Sequence, residues 1–402
     1  MSPQGHAEAH GPLAGIVVVA VEQAVAAPFA TRQLADLGAR VIKIERPGTG
    51  DFARGYDARV RGLASHFVWT NRSKESLTLD VKHPEARTIL QRLVVDHADV
   101  VVQNLAPGAA ARLGLSYAAL SAAKPAIIVC DISGYGADGP YRDKKAYDLL
   151  IQSEAGFLSV TGTEADPVKA GCSIADIAAG MYAYTNILAA LLERGRTGRG
   201  CHLDVSMLES LVEWMSYPLY YAFDGAEQPP RTGASHATIY PYGPFPAGDG
   251  KTIMLGLQNE REWSTFCERV LMRPDLASDP RYASNSRRSA AREELRRIII
   301  DVFSGLTATE VLRRLDDARI ANAQVNDMHD VWRHPQLAAR RRWRDVGSPS
   351  GPIPALLPPG TDDEADPQWS AVPALGAHTD SILTALGYPV ERIAELRADG
   401  AI

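Results

Sequence analysis

The 402-residue chain has few cysteines, no long apolar stretch and a single dense basic cluster, formed by Arg340, Arg341, Arg342 and Arg344, which is interpreted as a solvated helix face rather than a binding patch. Its four cysteines, Cys130, Cys172, Cys201 and Cys267, show neither C-x-x-C spacing nor a histidine at metal-ligand spacing, which predicts reduced thiols. The formal net charge is −6 with basic residues spread along the chain, so nothing supports nucleic-acid binding. No apolar run approaches the roughly 20 residues of a bilayer span, so no membrane association is expected.

Recognisable targeting and metal motifs are also missing. The segment 1–10 is polar and lacks the basic and apolar regions of a signal peptide, which, with the reduced cysteines, predicts a cytoplasmic location. H-E-x-x-H, P-loop and nucleophile-elbow motifs are absent, and the ten histidines are not clustered. These absences argue against metal and serine chemistry.

The first third of the chain alternates β-branched runs with helical patterns. Strands are predicted at 16–21, 41–45, 76–79, 100–102 and 126–131, with helices between most of them, such as 28–37 and 84–95. Such alternation is typical of βαβ units in a mainly parallel, doubly wound α/β sheet. Ligands of such sheets bind beyond the carboxyl ends of the strands.

The middle of the chain contains two predicted helices and then a change in composition. An Ala-rich stretch at 174–194 predicts a long buried helix with Asp176 in its first turn, and a second helix is predicted at 205–221. Turn residues then dominate up to residue 250, before a predicted strand at 251–257 and a predicted helix at 260–271. The sequence therefore predicts a large domain over 1–224, a small domain over 225–324 and a return to the large domain over 325–402.

One glycine pattern resembles a dinucleotide fingerprint. Gly134, Gly136 and Gly139 match G-x-G-x-x-G after a predicted strand. However, Pro140 and a charged segment follow, where an amphipathic helix would be needed to present its N-terminus to phosphates. Nicotinamide binding is therefore not expected.

Segments along nearly the whole chain resemble the class III (family III) CoA-transferases, the group that contains formyl-CoA transferase and carnitine CoA-transferase. In chain order the matching segments are AAPFAT at 26–31, LADLGARVIKIERPGTGD at 34–51, NRSKESLTLDVK at 71–82, NLAPG at 104–108, RLGL at 112–115, SGYG at 133–136, AYD at 146–148, GCSIADIAAG at 171–180, GRTGRG at 195–200 and DVS at 204–206.

The resemblance implies a large Rossmann-like domain, a smaller α+β domain and an interlocked homodimer. It implies that five residues lie against CoA: Arg46, Leu79, Lys82, Asn104 and Arg112. Arg and Lys suit phosphate, Asn104 suits adenine or ribose edges, and Leu79 suits an apolar contact. A solvated surface role for the three cations is the alternative. Because the CoA thioester is a substrate, no cofactor is expected, and the partners are acyl-CoA and a small carboxylic acid.

The resemblance also places the family's nucleophilic aspartate on Asp176. Without it, an aspartate in a first helical turn is most often a cap. The implied chemistry passes through an aspartyl-acyl anhydride and an aspartyl-CoA thioester, with backbone N–H donors stabilising each oxyanion. The chain departs from the family in two places: it has no clear glycine run to cover the intermediates, and Val25 stands where formyl-CoA transferase has a glutamine. Oxalate is therefore not the expected substrate.

Two other functions remain open. The α-methylacyl-CoA racemase branch uses a histidine where this chain has Tyr147, and a glutamate where it has Asn259, so both positions favour transfer over proton abstraction. A non-catalytic CoA-binding protein would use the same pocket without turnover.

The substrate is predicted from the segment RTGASHATIYPYGPF at 231–245, which is similar to that of members using succinyl-CoA with itaconate or mesaconate. The uncoupled carboxylate of a dicarboxylate needs a paired cation or several donors when buried. Arg231, His236 and Tyr240 supply such donors and are the candidate substrate-binding residues. A turn-rich linker with a structural histidine is the alternative.

Overall fold

A computed structural model describes residues 11–361 and 369–402 of the chain. The polar segment 1–10, interpreted above as lacking a signal peptide, lies outside these residues. The chain forms two compact units: unit 1 comprises Met1–Ala155, Ala170–Met215 and Gln336–Ile402 as far as these are described, and unit 2 comprises Gly156–Lys169 and Ser216–Pro335. The sequence-based domains 1–224, 225–324 and 325–402 stay a prediction.

The strands in the described residues are β1 (Val17–Val21), β2 (Arg40–Glu45), β3 (Lys74–Thr78), β4 (Val100–Gln103), β5 (Ile128–Ser133), β6 (His202–Ser206), β7 (Tyr242–Pro246), β8 (Thr252–Gly256), β9 (Ala321–Gln324), β10 (Trp343–Val346) and β11 (Ile353–Leu356).

The α-helices are α1 (Ala26–Asp36), α2 (Ser65–Thr70), α3 (Pro84–His97), α4 (Ala109–Arg112), α5 (Tyr117–Ala123), α6 (Asp148–Glu154), α7 (Phe157–Val160), α8 (Ile174–Thr197), α9 (Met207–Trp214), α10 (Ser216–Tyr221), α11 (Glu260–Thr265), α12 (Pro274–Ala277), α13 (Asn285–Ala290), α14 (Arg292–Ser304), α15 (Ala308–Asp317), α16 (Met328–Trp332), α17 (Pro335–Ala339), α18 (Thr379–Ala385) and α19 (Val390–Ala398). Short 3-10 turns lie at Phe52–Gly55, Phe223–Gly225 and Pro280–Tyr282, and a π-helical turn at Phe266–Val270.

Unit 1 is built on a six-stranded parallel sheet in the order β3-β2-β1-β4-β5-β6. Its central strands are fully buried runs of Val and Ile, which suits strands covered by helices on both faces. The order reverses between β1 and β4, so a ligand crevice is expected at the carboxyl ends of these two strands. The five predicted strands of this region are confirmed, with boundaries that differ by up to two residues.

The sixth strand corrects one prediction. Residues 205 and 206, predicted as the start of a helix, belong to β6. Val205 pairs with Ile132 and Ser206 with Ser133 of β5, so pairing at the sheet edge outweighs local helical preference. The predicted helix is instead α9 followed by α10.

Helix α8 packs closely against α1 in unit 1. A Cβ atom at Gly180 would lie 2.7 Å from the carbonyl oxygen of Ala26 and 2.9 Å from the ring of Phe29, so only glycine permits this approach. By length and hydropathy alone α8 could span a membrane, with 24 residues and a window of mean hydropathy 1.3. Core helices of non-membrane proteins pass the same test, so α8 alone is weak evidence for a membrane span.

A buried ion cluster links β1, β2 and β3 through Glu22 after β1, Lys43 in β2, Asp51 after β2 and Lys74 at the start of β3. The Lys43 Nζ is 2.8 Å from Asp51 Oδ2 and 3.3 Å from Glu22 Oε1, and the Lys74 Nζ is 2.7 Å from Glu22 Oε1. All four side chains are inaccessible to solvent. Because each buried charge is paired, the cluster fixes the loops that follow β1 and β2 relative to each other.

Unit 2 contains the antiparallel sheet β7-β8-β9, with its own apolar core. Strand β8 confirms the predicted strand at 251–257. The predicted helix 260–271 is α11 continued by the π-helical turn, and Trp263, Phe266 and Val270 are buried in the core of unit 2. The predicted α/β class, with a parallel sheet in one unit and a smaller α+β unit, is confirmed.

The glycine pattern at 134–139 lies in the loop between β5 and α6. Helix α6 begins only at Asp148, eight residues after Pro140. Gly136 has φ of +93°, a conformation that favours glycine and makes a sharp turn there. No helix N-terminus directly follows the motif to receive phosphates.

Candidate active site

Asp176 lies in the first turn of α8, on unit 1. The helix begins after Ser173, which provides no side-chain cap for the free N–H groups of the first turn. Ala175, Ala178 and Ala179 are buried, so small side chains bring the start of the helix into the protein. The carboxyl of Asp176 is consequently held in a partly enclosed site by a rigid element.

Asp148, the first residue of α6, supplies the missing cap. Its Oδ1 accepts hydrogen bonds from the backbone N–H of Ala175 at 2.8 Å and of Asp176 at 3.2 Å. Its Oδ2 accepts one from Nε2 of the buried Gln152 at 2.7 Å, and Gln152 Oε1 accepts one from the N–H of Ala170 at 2.9 Å. Asp148 therefore joins α6 to the start of α8 and sets the position of Asp176.

The same arrangement alters the ionisation of Asp176. Burial raises the pKa of its carboxyl to about 7, and the negative charge of Asp148 contributes in the same direction. A carboxyl with such a pKa changes charge near neutral pH, and strongly perturbed groups of this kind are typical of functional sites. Asp176 is a basic carboxylate when ionised, which suits a nucleophile.

Tyr56 lies within electrostatic reach of Asp176. Its pKa is raised to about 12 by partial burial and by Asp51, Asp176 and Tyr147. Tyr56 therefore keeps its proton and can donate a hydrogen bond. Tyr147, at the position of the racemase histidine, is 69% exposed. The sequence analysis missed Tyr56 and Asp148, although AYD at 146–148 was among the matching segments.

The loop between β1 and α1 is fixed at the switch point of the sheet. Asn104, after β4, accepts from the backbone N–H of Gln23 and donates to its carbonyl, both at 2.9 Å. Asp51 Oδ1 accepts from the N–H of Ala24, which has φ of +63°. Val25, at the position of the family glutamine, is buried, and Gln23 Oε1 accepts from the N–H of Phe52 at 3.2 Å.

Four of the predicted CoA-binding residues follow the strands β2, β3 and β4 of the parallel sheet. Arg46 follows β2, Lys82 follows β3, and Asn104 and Arg112 follow β4, so all four lie towards one edge of the sheet. Arg46, Lys82 and Arg112 are exposed, and none of them forms an ion pair with another described residue. Leu79 is 1% exposed within the apolar core, so contact with a ligand there would involve its backbone. The roles of these residues stay predictions.

Two of the three predicted substrate residues line a cavity inside unit 2. Arg231 and Tyr240 are at its wall. The Arg231 guanidinium donates to the carbonyls of Thr163 and Glu164, both at 2.8 Å. His236 is not among the residues lining this cavity; its ring stacks on Tyr242 and its Nδ1 accepts from two backbone N–H groups. Asp176 belongs to unit 1.

All four cysteines are free, as predicted. Within 11–361 and 369–402, no group of three or more His, Cys, Asp or Glu side chains could hold a metal ion.

Comparison with known proteins relates the whole chain to one family. Residues 13–379 match the description "CoA-transferase family III". Succinyl-CoA:glutarate CoA-transferase of Homo sapiens is 33% identical over 409 residues, which cover 100% of this chain and 92% of the relative. Succinyl-CoA:mesaconate CoA-transferase of Haloarcula hispanica is 34% identical over 350 residues, covering 84% of this chain and 86% of the relative.

Solved structures of similar proteins point to the same family. A CAIB/BAIF family protein from Brucella suis has a TM-score of 0.82 and 33% identity, covering 94% of this chain and 99% of that chain. A hypothetical protein from Mycobacterium tuberculosis has a TM-score of 0.81 and 27% identity, covering 94% and 100%. The chain therefore belongs to CoA-transferase family III and is a CoA-transferase, as its sequence segments predicted.

Proposed function

We propose that this enzyme transfers CoA from succinyl-CoA to a C4 or C5 dicarboxylate, with Asp176 as the nucleophile. The observation that carries the catalytic assignment is the Asp176 carboxyl with its pKa of about 7, held by Asp148 at the start of α8. The substrate class is supported by relatives whose names include glutarate and mesaconate as acceptors. Mesaconate, itaconate and glutarate are the acceptors proposed first.

The proposed reaction passes through two anhydrides and one thioester. The ionised Asp176 attacks the carbonyl carbon of succinyl-CoA and expels CoA thiolate, leaving an aspartyl-succinyl anhydride. The thiolate attacks the aspartyl carbonyl, releasing succinate and forming the aspartyl-CoA thioester. The acceptor carboxylate attacks this thioester and again expels thiolate. The thiolate then takes the acceptor's acyl group from the second anhydride, and Asp176 is regenerated.

Each addition places negative charge on an oxygen that needs donors. The N–H groups of Ala175 and Asp176 already donate to Asp148, so they are not available for this purpose. The N–H groups of Ala26 and Ala27 begin α1 and have no acceptor among the described residues. The carbonyl of Ala26 lies beside Gly180, one turn along α8 from Asp176. We assign the oxyanion donors to this first turn of α1.

The remaining expectations belong to the same proposal. Arg46, Lys82 and Arg112 bind the phosphates of CoA, supported by their exposure after β2, β3 and β4 and by the absence of ion pairs between them and other described residues. The enzyme needs no cofactor or metal, acts as a homodimer and works in the cytoplasm, the last supported by its free cysteines.

The test combines covalent trapping with a panel of acids. Succinyl-CoA and hydroxylamine should convert Asp176 to its hydroxamate, located by peptide mass spectrometry, and Asp176→Asn should lower kcat by roughly 10³ or more. With succinyl-CoA as donor, glutarate, mesaconate or itaconate should exceed butyrate and benzoate as acceptors. Label at another residue, or a loss below about tenfold, refutes the nucleophile. Preference for monocarboxylates refutes the substrate class, and solvent deuterium entering beside the thioester without transfer indicates the racemase instead.

A further inference from the structure

Unit 2 contains a cavity of about 970 Å³. The arginines of its wall have more N–H donors than their hydrogen bonds to the protein occupy. It is lined by the 156–169 segment, the 228–244 segment and one face of α14. Three arginines reach it: Arg231, Arg292 and Arg296. Arg231 is committed to backbone carbonyls of the 156–169 segment, so it holds the wall together.

The other two arginines keep donors to spare. Nη2 of Arg292 donates to the carbonyls of His236 and Ala237, and Nη1 of Arg296 donates to the carbonyl of Pro244 at 2.9 Å. A guanidinium has five N–H donors, so most of those on both residues have no acceptor among the described residues. Neither arginine has an ion-pair partner in the described ranges. Their spacing of four residues places both on one face of α14.

A buried hydroxyl lies at the same wall. Tyr240 is 3% exposed, and its hydroxyl forms no hydrogen bond of normal geometry with a described residue, although the Arg296 guanidinium lies close enough to act on it. The Arg292 guanidinium lies 5.4 Å from the centre of the Tyr240 ring. A buried polar group without a well-formed hydrogen bond is costly, and a ligand acceptor would remove that cost.

Two carboxylates line the cavity as well. Glu164 and Glu293 are both exposed, so their charges are solvated, and neither pairs with the cavity arginines. Three cations and two solvated anions leave the wall with a net positive charge, and Arg292 and Arg296 lie beside the buried hydroxyl of Tyr240. This combination favours an acidic ligand over a neutral or cationic one.

We propose that this cavity binds a small dicarboxylate, with Arg292 and Arg296 donating to its carboxylates and the Tyr240 hydroxyl completing the site. Residues four apart on a helix have Cβ atoms about 6 Å apart, a separation that allows each guanidinium to take one end of a C4 or C5 diacid. The identification of the anion as a dicarboxylate rests on the proposed function. The presence of an anion site rests only on the residues of the cavity wall. The sequence pointed to Arg231 and Tyr240 but not to the two arginines of α14.

Equilibrium binding tests the site without turnover. Calorimetry on the full chain carrying Asp176→Asn, in the absence of CoA, measures glutarate, butyrate and inorganic phosphate. Glutarate should bind, and Arg296→Gln should weaken it about tenfold, as expected for a charge-assisted bond. Arg297→Gln, the exposed neighbour on α14 that does not line the cavity, should leave it unchanged.

Tyr240→Phe removes only the hydroxyl and should weaken glutarate about fivefold, as expected for one hydrogen bond to a charged group. Its matched control is Tyr282→Phe, because the Tyr282 side chain is also buried but does not line the cavity. Unchanged affinity in both Arg296→Gln and Tyr240→Phe, or equal binding of butyrate or phosphate, overturns the dicarboxylate site. Binding with these dependences but without CoA transfer by the wild type supports the site and refutes the proposed function alone.

Discussion

Asp148 binds the backbone of Asp176 and opposes its charge at the same time. Its Oδ1 accepts the N–H of Asp176 at 3.2 Å and that of Ala175 at 2.8 Å, so the start of α8 is fixed. Its negative charge adds to burial in raising the pKa of the Asp176 carboxyl to about 7. One residue therefore positions the candidate nucleophile and makes it more basic.

The first prediction concerns the pH dependence of transfer. Because only ionised Asp176 attacks, kcat/KM should rise with pH and reach half its maximum near pH 7. Asp148→Asn keeps an oxygen acceptor for the cap but removes the charge, so the rising limb should move to lower pH, and burial should keep it above the ordinary range. Asp138→Asn, an exposed carboxylate in the preceding loop, serves as control. If Asp148→Asn does not move the rising limb of the kcat/KM profile, Asp176 is not the group that this limb reports.

The second prediction separates stability from activity at Asp176. Its pKa is raised from 3.8 to about 7 on folding, so this group's stabilisation is complete below the unfolded pKa and is lost as pH rises through 7. Asp176→Asn stays neutral, and its advantage in unfolding free energy should grow by up to about 2.5 kcal/mol between pH 5 and pH 8. Urea denaturation at both pH values measures this. A pH-independent difference would show that Asp176 is not desolvated.

The third prediction tests the CoA-binding cations. Arg46→Gln and Arg112→Gln should each raise KM for every acyl-CoA donor about tenfold, since a charge-assisted bond to phosphate is lost, and should leave KM for the acid unchanged. Arg199→Gln is the control, because Arg199 is exposed but precedes β6 at the opposite edge of the sheet. If the change in KM depended on which acceptor acid is used, the arginines would contact the acid rather than CoA.

The fourth prediction compares two glycines of α8. Gly180→Ala would put a methyl 2.7 Å from the carbonyl oxygen of Ala26, and should destabilise the protein by about 1 to 3 kcal/mol and lower kcat by shifting α8 against α1. Gly195→Ala meets nothing within 4 Å and should stabilise the helix by up to about 1 kcal/mol. Thermal unfolding and kcat of both variants decide this. If both variants had the same thermal stability and kcat, the close contact between α8 and α1 at Gly180 would not be required for stability or activity.

The sequence by itself determined the elements whose pattern is local. Runs of Val and Ile marked β1, β2 and β4, and the Ala-rich stretch marked α8 with Asp176 in its first turn, because burial imposes a period on the chain. The segments at 34–51, 71–82 and 171–180 were enough to predict the family. The order of predicted strands and helices also placed Arg46, Lys82 and Arg112 after strands, since parallel strands direct their following loops to one edge.

Only the tertiary structure decided which distant residues meet. The bonds from Asp148 to Ala175 and Asp176 and from Asn104 to Gln23 join segments far apart in sequence, and no periodicity encodes them. Val205 and Ser206, the last two residues of β6, are in a strand where a helix was predicted, because they pair with the edge of β5. Perturbed ionisation and spare donors depend on burial and on which acceptors are already used, and both are properties of the packed chain rather than of its local sequence.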